Sequence, residues 1–210
     1  EQAIKDAYGM PMVVRPTFVE GVGRAIGPLV KFHEATRSPE ALALAQQLGD
    51  YAATHAFLEH GEYDSERFGA HCHSTTCTLS GLTKLADLTG DQRLLNRTRQ
   101  FYDHGLPTIR DEVGWVRERH HRESAGFHPE QGEMNNVGDV IETALILGRH
   151  FGDSYYQDAE RYLRCQLLPS QVRDLSFMEE VAGGDERRDL QTRLLGVFGF
   201  SAVYGHLPKG

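Results

Sequence analysis

Leu85-Ala86-Asp87-Leu88-Thr89-Gly90-Asp91-Gln92-Arg93-Leu94-Leu95 joins the end of one helix to the start of another. Leu85, Ala86 and Leu88 continue an apolar helical pattern that breaks at Thr89-Gly90-Asp91. Gly90 suits the left-handed position after a helix, and Asp91 suits the cap of the next one. Two other stretches share this form. Thr36-Arg37-Ser38-Pro39 breaks the pattern over 29–47, with Ser38 as a cap and Pro39 at the first helical position, where its missing N–H costs nothing. Phe151-Gly152-Asp153 breaks the pattern over 145–162 as the glycine break does over 82–100. Three helical hairpins follow, with uneven connections between them, which excludes a regular solenoid.

Within each hairpin the two helices differ. Residues 79–88 and 140–148 are apolar over much of their circumference, as expected of inner helices with neighbours on several sides. Residues 93–104 and 155–168 keep apolar side chains near one stripe, through Leu94, Leu95, Thr98, Phe101 and Tyr102 in one case and Tyr155, Ala159, Tyr162, Leu163 and Leu167 in the other. These are expected as outer helices, with the tyrosines as packing between layers. A seventh helix is expected over roughly 186–203 without a partner. Strand-like alternation is confined to short stretches such as Met12-Val13-Val14 and Gly114-Trp115-Val116. The expected fold is all-α: helical hairpins in two layers, a partial (α/α)6 toroid.

The totals agree with one folded unit over 1–210. A chain of 210 residues, 40% hydrophobic and 25% charged, can close a single core. A net charge of −8 argues against phosphate-backbone binding, so nucleic acid is not an expected partner. No run of 18 apolar residues appears, so no membrane span is expected. Three cysteines, Cys72, Cys77 and Cys165, are too few for a disulfide framework and favour a reduced, cytoplasmic setting. The chain opens at Glu1 and reads as a segment of a larger toroid.

Chemistry is expected where long connections meet the inner helices. The connection over 61–77 carries His71-Cys72-His73-Ser74, and the one over 105–136 carries Gly114-Trp115-Val116-Arg117-Glu118, His120-His121 and Glu133-Met134-Asn135-Asn136. Stepping back from Leu82 through Thr78 and Thr75 places His71 at the helix mouth. His73 joins it on one face only in extended backbone. Either imidazole could act as an acid or base or bind a sugar hydroxyl, or simply pack the loop. Trp115 beside Glu118 suits carbohydrate, since an indole face packs on sugar C–H groups while a carboxylate bonds hydroxyls or donates a proton. It equally suits a covered surface loop. Glu133 lies toward the start of the next inner helix, where partial burial could tune a general acid, or where the helix dipole simply favours it. Asp139 falls about 200° around that helix from Val137, so it and Glu133 are expected to diverge unless the helix start is irregular. Glu142 is a weaker catalytic candidate still. His71, His73, Cys72, Cys77, His120, His121 and Glu133 offer metal-ligand atoms, yet no recognised ligand spacing joins them. Neither a metal nor another cofactor is therefore expected.

The run from Leu85 to Leu95, followed by Gly114-Trp115-Val116-Arg117-Glu118 and by Glu133 ahead of a helix ending in Gly152-Asp153-Ser154-Tyr155-Tyr156, resembles bacterial six-hairpin glycosidases. The nearest named type is the β-L-arabinofuranosidase-like group and its relatives. The resemblance covers roughly 20–205. It implies a glycan-directed enzyme with acidic residues in a funnel. That group joins a Glu to nearby cysteines in a zinc-thiolate site, whereas Met134 and Asn135 follow Glu133 here. A full toroid also has twelve helices against about seven here, so the open apolar edge would be covered by further sequence or a second copy.

The leading expectation is glycoside hydrolysis, with Glu133 and Glu118 as the carboxylate pair. His71 stands beside them as a catalytic candidate, and His73, Trp115, Arg117, Asn135, Asn136 and Asp139 as substrate contacts. A polysaccharide lyase or sugar epimerase would use His71 or His73 as base, with Arg117 or Arg122 holding a uronate carboxylate. A non-catalytic helical-repeat module would leave these groups scattered.

Overall fold

The computed structural model describes residues 17–118, 132–176 and 195–198. Six long helices carry the architecture: α1 (Ile26–Thr36), α2 (Pro39–His55), α3 (Cys72–Thr89), α4 (Gln92–His104), α5 (Met134–Phe151) and α6 (Asp153–Tyr162). They pair as the hairpins α1–α2, α3–α4 and α5–α6. Among the described residues there are isolated β-bridges but no strand.

Local chemistry sets each hairpin turn. Before α2, Arg37 takes the left-handed conformation at φ 63°, and the Ser38 side chain accepts the Ala41 N–H at 3.2 Å with Pro39 behind it. Before α4, Gly90 is left-handed at φ 70° and Asp91 accepts the Leu94 N–H at 2.9 Å. The third turn departs from this scheme. Gly152, at φ 112°, is itself the cap, and Asp153 is the first helical residue, with no side-chain cap bond. There the carboxylate favours the helix through the dipole.

Layering follows the sequence. On α3, twelve of its residues are buried, from Cys72 to Ala86, and α3 packs chiefly against α5 and α1. On α4, burial is restricted to Leu94, Leu95, Thr98, Phe101 and Tyr102, the expected stripe. On α6 it is restricted to Tyr155, Ala159 and Tyr162. Leu163, expected in that stripe, is exposed, because the chain widens into a π turn over Leu163–Leu167, which shifts the helical register, before tightening into a 3-10 turn over Leu168–Ser170. Tyr155 donates to Asp103 at 3.0 Å and Tyr102 to Asp158 at 3.1 Å, so the tyrosines join the outer helices. The inner pair α1 and α3 meets at glycines: a Cβ on Gly81 would stand 2.6 Å from the Gly27 nitrogen.

The helix expected over 186–203 falls largely outside the described residues. Leu195 and Gly196 form a turn with Gly196 at φ 86°, and Phe198 bridges Gln171, so no helix runs through these four. A helical glycine needs negative φ, and the bridge uses backbone groups that a helix would occupy. The Met12–Val14 stretch also lies outside the described residues. Phe32 on α1 and Leu145 on α5 are exposed apolar side chains. A cleft of about 620 Å³, lined by residues including Glu34, Lys84, Gly138, Glu142, Leu145 and Arg149, runs along the inner helices. No helix of the described residues is long and apolar enough to cross a membrane.

Candidate active site

The N-terminal ends of α3 and α5 lie side by side, and each is preceded by one residue in extended backbone. His71 is the cap of α3 (φ −85°, ψ 101°), and Glu133 is the cap of α5 (φ −109°, ψ 132°). Neither side chain bonds its own helix as a cap. Both turn across the gap between the helices.

His71 Nε2 stands 3.5 Å from Glu133 Oε1, and His73 Nδ1 stands 3.5 Å from Glu133 Oε2. The far nitrogen of His73 faces Asp139 Oδ2 at 3.6 Å. The far nitrogen of His71 is 2.9 Å from Ser74 Oγ. The two rings are edge to face, 5.9 Å between centroids. Glu133 is buried, whereas both imidazoles and Asp139 keep a fifth to a quarter of their side-chain surface open. The expected divergence of Glu133 and Asp139 is thus overturned: both carboxylates reach His73, one from each side. Glu133 precedes the helix, so the 100° step counted back from Val137 does not apply to it.

Neighbours fix this arrangement. Thr76 Oγ lies 3.0 Å from Asn136 Oδ1 and 3.1 Å from Asp139 Oδ2, linking the two inner helices. Asn135 Nδ2 lies 3.4 Å from Glu133 Oε2. Glu20, which carries no sequence signal of function, accepts the N–H groups of Ala70 at 2.9 Å and His71 at 3.2 Å, and so fixes the chain entering α3. Gly69 makes this possible. It sits at φ 79°, and a Cβ there would fall 2.0 Å from the Glu20 carboxyl carbon.

Burial pushes the His73 imidazole below its ordinary value, against the opposite pull of Glu133. That shift favours the uncharged ring. Burial also pushes the Asp139 carboxyl up to about 7, with the Thr76 hydrogen bond opposing. A group in that range exchanges protons readily near neutrality. Glu142, lower on α5, belongs to the fold. Burial raises its pKa, but hydrogen bonds from Lys84 and Ser80 outweigh that and hold it low.

The other expected residues divide. Trp115 is half-buried, and its ring lies over Gly132: a Cβ there would be 2.6 Å from Trp115 Cζ2. Asn136 is buried in the link to Thr76. Glu118 is buried and is tied to the site through its backbone, whose carbonyl accepts the Cys72 N–H at 3.0 Å. Arg117 is exposed, and its backbone bridges Gly132, next in the chain to Glu133. His120, His121 and Arg122 lie outside the described residues. Among the described residues, the ligand-type side chains grouped with Glu133 are the imidazoles of His71 and His73 and include no cysteine, so the zinc-thiolate set of the arabinofuranosidase-like group is not reproduced there.

The structure resembles solved proteins far more than its sequence resembles any. The Lin0763 protein of Listeria innocua matches with a TM-score of 0.61 at 17% identity, over 87% of this chain and 53% of that one. The cellobiose 2-epimerase of Spirochaeta thermophila matches with a TM-score of 0.50 at 18% identity, over 80% of this chain and 48% of that one. The fold is that of an α/α toroid. The chain spans about half the length of these two structures. No protein-family model matches it, and no curated protein matches it in sequence.

Proposed function

We propose that this half-toroid carries the proton-transfer centre of a carbohydrate-active enzyme of the epimerase type. The observation supporting this reading is the placement of two imidazoles on the two oxygens of one buried carboxylate, with a second carboxylate behind His73. In the proposed reaction a sugar in its open-chain form presents a C–H next to its carbonyl. His73 takes that proton as a neutral base, leaving an enediolate. His71, on the other side of Glu133, returns a proton to the opposite face of the carbon. The base is His73 Nδ1, with the ring's own proton on Nε2 toward Asp139; His71 starts as the cation, and Glu133 steadies first that imidazolium and then the one formed when Nδ1 takes the sugar's proton. Trp115, packed over Gly132 next in the chain to Glu133, would offer an apolar face to the sugar.

This reading departs from the carboxylate pair expected of a glycoside hydrolase. With an imidazole nitrogen facing each oxygen, Glu133 is better placed to orient bases than to protonate a glycosidic oxygen. The likeness to an epimerase supports carbohydrate chemistry through the fold alone, and favours the α/α-toroid enzymes generally over the arabinofuranosidase-like group.

The test is a panel of reducing mono- and disaccharides incubated with the purified protein in D2O and followed by proton NMR. Expected is loss of the signal of the hydrogen next to the anomeric carbon, with appearance of the epimer. Release of free sugar from a glycoside, with no deuterium on carbon, would overturn the reading in favour of hydrolysis.

A further inference from the structure

The His71, His73 and Glu133 distances are long for hydrogen bonds. An N–H···O bond runs about 2.7–3.2 Å, and both imidazole–carboxylate separations are 3.5 Å, His71 to Oε1 and His73 to Oε2, so that a shared ion would take both oxygens of Glu133. Two donors bound tetrahedrally to one zinc-sized ion, at about 2.0–2.2 Å each, stand roughly 3.4 Å apart. One donor atom from each of the three residues lies within 4.8 Å of the others. The outer nitrogens supply a second observation. A histidine that binds a metal through one nitrogen usually gives the other to a carboxylate, hydroxyl or carbonyl. Here His73 Nε2 faces Asp139 at 3.6 Å, and His71 Nδ1 faces Ser74 Oγ at 2.9 Å. Both rings thus turn one nitrogen inward, to Glu133, and one outward, to a supporting oxygen.

From this geometry we infer that His71 Nε2, His73 Nδ1 and the Glu133 carboxylate form a three-ligand site for a borderline divalent cation such as Zn²⁺, with Asp139 and Ser74 as supporting groups. Two imidazoles and a carboxylate leave at least one position open to water or a sugar oxygen. The ligands come from segments sixty residues apart in the chain, so no ligand spacing shows in the sequence. A competing set, His73, Cys77 and Asp139, shares one histidine with it. The first set is preferred because it uses Asp139 where carboxylates usually stand, behind the imidazole. This site goes beyond the proton-transfer reading and does not depend on it. A cation on His73 Nδ1 takes the lone pair that proton abstraction uses, so metal-loaded and exchange-competent protein are different states. Binding is accordingly measured without sugar.

The test titrates the chelator-treated, full protein with Co²⁺, reads the visible d–d bands, and then displaces the ion with Zn²⁺. Expected are saturable bands at one ion per chain without thiolate charge-transfer absorption, lost in His71→Gln and His73→Gln and unaffected in Cys77→Ser. Asp139→Asn is expected to bind about 10–100-fold more weakly, with circular dichroism showing each variant folded. No saturable band, bands that persist in both histidine variants, or bands lost in Cys77→Ser would overturn the assignment. Proton exchange from the preceding test can succeed or fail independently of these outcomes.

Discussion

The two ends of the inner pair α3 and α5 are built on opposite principles. At the C-terminal ends, glycines at positive φ close the hairpins, and Asp87 takes Arg149 and His150 from the neighbouring helix in an exposed ion pair. Every group there is bonded to something nearby or faces water. At the N-terminal ends, the cap residues make no side-chain cap bond to the helix backbone and turn toward each other, crowding two imidazoles and two carboxylates into one place. One end is satisfied by local chemistry and sets the fold. The other brings titratable groups together at a cost in burial, the usual mark of a functional site.

Substitutions can break this contrast, and the largest effect is expected at the mouth. His73→Asn should lower the rate of solvent deuterium uptake into sugar by about 10²–10⁴-fold, as loss of a general base does, with the melting temperature little changed. Asp139 gives the mouth its own pH signature. Its folded pKa of about 7 stands above the ordinary 3.8, so burying it favours the protonated form, and its contribution to stability is full below about pH 4 and lost as pH rises through 7. Denaturant titrations in the presence of chelator should show Asp139→Asn losing on the order of 3 kcal/mol less stability than the wild type between those limits. Equal slopes for the two proteins would remove Asp139 from the account.

Smaller effects belong to the scaffold. Gly81→Ala pushes a methyl against the Gly27 backbone at 2.6 Å, and should cost about 1–3 kcal/mol by overpacking, read as a lower melting temperature. Asp91→Ala removes the bond to Leu94 N–H and should cost about 1 kcal/mol, with deuterium uptake per folded molecule unchanged. If either scaffold change lowered uptake as much as His73→Asn, the separation between the ends would collapse.

The same contrast explains what could be read in the sequence. Breaks at Ser38, Gly90 and Gly152, and the stripe of Leu94, Leu95, Thr98, Phe101 and Tyr102, were legible because turns and amphipathic faces are written in neighbouring residues. Asp153 departed by one position, since Gly152 could serve as the cap. The site was only half legible. His71, His73 and Glu133 stood out by residue type, but their meeting depends on two cap residues in extended backbone, where helical periodicity says nothing. Glu20 was missed because its role is to hold two backbone N–H groups fifty residues away. The only nearby sign was Gly69, a glycine whose reason appears once the carboxylate is beside it.

The most direct measurement sets His73→Asn beside Glu118→Gln in one deuterium-uptake experiment, with the same sugar and with each variant confirmed as folded. The account predicts that His73→Asn loses uptake while Glu118→Gln retains most of it. Uptake retained in His73→Asn, or abolished only in Glu118→Gln, would contradict a centre built on the two imidazoles and Glu133.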